Sequence, residues 1–165
     1  MEFFQNLNRE TLYALLSSLA AGLVSLTLLV LFIDMLNYVF LLAVMTAVFT
    51  SAYFAFRRQT RYEKRLTGKR VLQLAFEVGT LSHFYTFALY FPLNYFLFEF
   101  RGFNLDLFGA YIGATLIVSF VSIIMFVWIA VPMYLGIGHI VKSMENADDT
   151  ARLHGSEDLL DDIQI

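Results

Sequence analysis

RVLQLAFEVGTLSHFYTF, residues 70–87, is apolar enough to enter a membrane, yet Glu77 and His83 sit inside it. Whether this stretch crosses a bilayer fixes the topology of the whole chain. On insertion scales a charge at the bilayer centre costs about 2.5–3.5 kcal/mol, and each Leu, Ile, Val or Phe returns about 0.3–0.6 kcal/mol. The apolar residues around Glu77 outweigh it, so the stretch is expected to insert as part of a longer run from Val71 to Phe98.

Three further apolar runs flank it. Residues 12–33, 38–56 and 107–135 contain no Asp, Glu, Lys or Arg. A hydrocarbon core about 30 Å thick is crossed by about 20 helical residues, so each run is long enough to span once. Barrel strands are about 10 residues of alternating polarity, which these continuous runs are not. The composition agrees, being 59% hydrophobic and only 15% charged, against about 25% charged for soluble domains. A soluble fold would lack the polar surface to cover itself. The expected fold class is all-α: four transmembrane helices in an antiparallel bundle, spanning 12–33, 38–56, 71–98 and 107–135, with both termini cytoplasmic. The first run is expected to be retained, because its amino end lacks a basic cluster and Asp34 stands where small residues would precede cleavage.

Orientation comes from Lys and Arg. Arg57, Arg58, Arg61, Lys64, Arg65, Lys69 and Arg70 crowd the connection 57–70, whereas Glu99–Asp106 holds only Arg101 and Asp34–Asn37 holds none. The positive-inside rule places 57–70 in the cytoplasm. Those seven cations are expected to meet anionic headgroups or the acidic segment 142–165, which from Ser143 onward carries Glu145, Asp148, Asp149, Glu157, Asp158, Asp161 and Asp162 against one base, Arg152. The domain division is a membrane region 1–141 followed by that tail, expected to be flexible. Phe3, Phe4 and Leu7 recur at helical spacing and suit a short interfacial helix.

Apolar burial does not drive helices together in lipid, but close approach of small residues does. Ala14, Ser18 and Gly22 recur every fourth residue in the first run, and Ala43, Ala47, Ser51 and Ala55 in the second. A short connection makes these helices neighbours, and their small faces are expected to meet. Gly109 and Gly113 form a GxxxG in the fourth run, read as internal packing, with a surface for a second copy or a partner helix as the alternative.

In the third run Gln73, Glu77, Thr80, Tyr90 and Asn94 fall on one side of a helix, with His83 beside them. A polar seam in a spanning helix should face the bundle interior. If the span starts at residue 78, Glu77 lies at the cytoplasmic interface and meets Lys69, Arg70 or water; deeper in the membrane, with no matching cation in the other three runs, it is expected to be neutral or shared. In the interfacial case His83 bonds to a Ser or Thr of another helix. In the sharper reading Glu77 is a proton or cation site and His83 its relay.

Much chemistry is excluded. There is no cysteine, hence no disulfide, thiolate metal site or thiol nucleophile. His83 and His139 lie too far apart in depth to clamp one haem. No HExxH, P-loop or Gly-x-Ser-x-Gly occurs. No cofactor or metal is expected, and the basic connection lacks a stacking platform for nucleic acid. The functional expectation is a small non-catalytic multi-pass membrane protein. It works through helix packing and a charged cytoplasmic face, as an accessory subunit, a scaffold or a structural component of an envelope. Its partners are the bilayer and a second copy or another membrane protein. The alternative is a small oligomeric transporter or channel using the third-run seam. Its place is the cell membrane, or the membrane of a virus budding from it.

Overall fold

The computed structural model describes residues 8–32, 38–61, 66–99 and 105–161, with only the backbone described at 31, 32, 98, 99, 105, 107 and 145–161. All regular structure among them is helical. Helix α1 is Arg9–Phe32, α2 is Tyr38–Thr60, α3 is Gly68–Asn94, and α4 is Leu105–Asp161. Phe3, Phe4, Leu7, Lys64 and Arg65 lie outside the described residues.

Local sequence explains the helix ends. Glu10 stands in the first turn of α1, and Arg57 and Arg58 stand in the last turn of α2. Each charge complements the partial charge of its helix end. Thr67 is extended (φ −78°, ψ 157°), and the α3 ladder opens with Val71 N–H on its carbonyl at 3.0 Å. Near the other end Pro92 has no N–H for the carbonyl four residues back. The ladder there widens into a π-helical turn, Tyr95–Glu99. Pro132 lies within α4, which continues through it.

Two boundaries differ from the sequence expectation. Arg57 and Arg58 are helical, so the connection between α2 and α3 is shorter than 57–70. The backbone of α4 runs on through 142–161, the segment set apart as a flexible tail. Residues 139–154 contain no Pro or Gly to interrupt the helix.

Three helices are long and apolar enough to cross a membrane: α1 over Arg9–Val30, α2 throughout, and α4 over Phe108–Met144. Helix α3 has 27 residues, ample for the length. Gln73, Glu77 and His83 keep its composition below that class. Consecutive helices pack along their lengths, while α1 and α4 touch over a thinner side.

The core lies at one end. Tyr13, Phe56, Leu74, Val71 and Val141 are fully buried there, and the Tyr13 and Phe56 rings lie 5.4 Å apart. The Tyr13 hydroxyl donates to the carbonyl of Tyr134 at 3.4 Å, joining α1 to α4. Helix α4 is otherwise turned outward: only 22% of its most apolar stretch is buried, and Ile117, Phe120, Met125 and Trp128 are at least 63% exposed. An apolar face of that extent calls for apolar surroundings.

Candidate functional site

Glu77 has a cation. Its Oε2 lies 2.7 Å from Arg58 Nη2, and Gln59 Nε2 donates to the same oxygen at 3.4 Å. Both partners come from the last turn of α2, which extends past the apolar run ending at Phe56. The cations expected within reach of Glu77 were Lys69 and Arg70 of its own helix; Arg58, just beyond the apolar run that ends at Phe56, takes that place. Arg58 reaches Glu77 because the helix carries its side chain alongside the first turns of α3. Arg70 Nη1 instead donates to the carbonyl of Gln59 at 2.9 Å. The carboxylate is 14% exposed and the guanidinium 69%, so the pair straddles the edge of the bundle. Arg57, Arg61 and Lys69 are exposed at the same end.

The seam does not form one interior face. The buried face of α3 is Val71, Leu74, Ala75, Val78, Gly79, Ser82 and Thr86, largely opposite the proposed seam around the helix. Gln73 is exposed. Thr80 Oγ1 donates to its own helix at the carbonyl of Phe76. Tyr90 packs edge-on against Phe40 of α2, and Asn94 is half-buried at the end of α3. Helix α3 has neighbours on two sides, so its inward arc is set by where α2 and α4 dock.

The small-residue faces of α1 and α2 come together. Ala14, Ser18 and Gly22 are buried, as are Ala43, Ala47, Ser51 and Ala55. Ser18 Oγ donates across the interface to the carbonyl of Met45 at 2.9 Å. A Cβ at Gly22 would stand 3.1 Å from Met45 Cγ. Gly109 and Gly113 are placed differently, with nothing within 4 Å of a Cβ at either. The internal packing expected of that GxxxG is therefore absent among the described residues.

His83 sits on a partly open cavity of about 270 Å³ lined by residues of all four helices. Its Nδ1 lies 2.7 Å from Ser122 Oγ of α4, and its ring stacks on Phe126 at 6.4 Å. The rest of the wall is mainly aliphatic and aromatic, with Ser25, Ser82, Thr86 and Tyr134 supplying polar atoms. Thr86 Oγ1 donates to the carbonyl of Ser82 at 2.7 Å, and Ser82 hydrogen-bonds the Tyr134 phenol. The sequence reading singled out His83 but not Ser122, Ser82, Thr86 or Tyr134. A signal for Ser122 was present: Thr115, Ser119 and Ser122 recur at helical spacing in an otherwise apolar run, and all three are buried.

Comparison with protein-family models, with curated proteins and with solved structures finds no match to this chain.

Proposed function

We propose that this chain is a four-span, non-catalytic membrane protein whose helices form an antiparallel bundle with both termini in the cytoplasm. Its work is done by helix packing and by a charged cytoplasmic face, as an accessory subunit, a scaffold or an envelope component of the cell membrane or of a virus budding from it. The observation that supports this reading best is the Arg58–Glu77 pair. It compensates the acid of α3 at the end of the bundle, so the helix crosses the bilayer without a bare charge. It also takes from a transport mechanism the acid such a mechanism would use. Arg57, Arg61 and Lys69, exposed beside it, suit anionic headgroups on the cytoplasmic side.

Reconstitution tests the reading. Vesicles holding the full chain should pass protons, sodium and potassium no faster than protein-free vesicles, and Glu77→Gln should change nothing. A flux that needs the protein and is lost in Glu77→Gln would replace this reading with the transporter.

A further inference from the structure

We infer that the cavity around His83 is a binding site for an uncharged, lipid-soluble alcohol or phenol of about two fused rings in bulk. An apolar cavity of about 150 Å³ holds benzene, so about 270 Å³ takes two fused rings or a chain of equal bulk. Small-molecule sites combine such a wall with a few convergent polar groups.

The polar group is His83. Its Nδ1 is engaged by Ser122 at 2.7 Å, and its Nε2 has no hydrogen-bond partner among the described residues. In the tautomer where Ser122 donates to Nδ1, Nε2 carries a hydrogen and donates. In the other tautomer Nδ1 donates to the hydroxyl, and Nε2 accepts. A hydroxyl on the ligand both donates and accepts, so it satisfies Nε2 either way. A hydrocarbon leaves that nitrogen unsatisfied, and an ion lacks a counter-charge among the residues of the wall.

The route in selects for solubility in lipid. The cavity is partly open to the outside, and Ile129 of its α4 wall is 51% exposed. That opening adjoins the thinner α1–α4 side, which is closed at its far end by Tyr13 on Tyr134. On the membrane reading above, it faces acyl chains. The site itself does not rest on that reading, because binding is measured without reference to topology or flux.

Two probes of nearly equal shape, 2-naphthol and 2-methylnaphthalene, test the inference on the full chain in phosphatidylcholine nanodiscs. Partition into protein-free nanodiscs is subtracted. Saturable binding is expected for both, with the naphthol tighter by about three- to tenfold, the worth of one net hydrogen bond. His83→Phe should erase that preference. Ala21→Leu, which fills the wall from α1, should abolish saturable binding of both probes while helicity persists. If His83→Phe does not fold, imidazole nitrogen shifts of the parent decide: among the three histidines, only His83 should respond to the naphthol. Binding no greater than in protein-free nanodiscs, a preference that survives His83→Phe, or an unmoved His83 shift would each overturn the assignment.

Discussion

Gly138 and Gly113 stand towards opposite ends of the apolar part of α4, and a methyl group added at each would meet very different surroundings. At Gly138 it would lie 2.6 Å from Val71 Cγ1 and 3.7 Å from Tyr13 Cε2, whereas at Gly113, as at Gly109, nothing lies within 4 Å. The sequence advertises the second place with a GxxxG and the first with nothing comparable. Close approach is set by what docks opposite. Tyr13, Val71 and Phe56 converge on one end of the bundle and demand a residue without a side chain there. The motif at the other end faces outward. A small-residue motif permits close packing, and it takes a partner surface to use it.

The contrast breaks most sharply at Gly138. Gly138→Leu should leave no folded, monodisperse protein in detergent. Gly138→Ala, which forces the fully buried Val71 to move, should cost about 1–3 kcal/mol, the usual range for overpacking. An unshifted thermal midpoint for Gly138→Ala would mean that α4 is not held against α1 and α3 at that level.

The ion pair at the same end comes next. Arg58→Ala removes the cation from a largely buried carboxylate. The loss falls between that of a buried pair and that of an exposed one, about 1–3 kcal/mol, because the guanidinium is mostly solvated. Adding Glu77→Gln to Arg58→Ala should restore part of the loss, since an amide needs no counter-charge. A double variant no more stable than Arg58→Ala would show that the two side chains are not coupled.

At the outward end the expected effect is smallest. Gly113→Ala should leave stability unchanged or raise it by up to about 1 kcal/mol, the difference in helix propensity. A clear loss of thermal stability would mean that this face is covered by a second copy or by another protein, the alternative role of the GxxxG.

The same contrast shows what the sequence makes legible. Long apolar runs read directly as helices, because length and uninterrupted hydrophobicity are properties of the segment itself. The α1–α2 stripes, Ala14 to Gly22 and Ala43 to Ala55, were legible for a related reason: each helix has one small face and the connection between them is short. The face of α3 was not legible. Ser82 and Thr86 point inward and Gln73 outward, an outcome decided by α2 and α4 together. Which cation Glu77 meets was not legible, because Arg58 lies beyond the apolar run that ends at Phe56 and is brought alongside only because α2 continues to Thr60. His83 was legible as a candidate, but the cavity it lines is a property of four helices at once.

The central claim is that α3 crosses the bilayer although its composition keeps it out of the most apolar class. Gln59 precedes α3 and Asn104 follows it, so single cysteines introduced at these positions read the crossing directly in this cysteine-free chain. An impermeant thiol reagent applied to intact cells should modify the cysteine at 104 and spare the one at 59, with both modified once the membrane is opened. Equal modification of the two positions in intact cells, or protection of both, would put them on one side and contradict the four-span account.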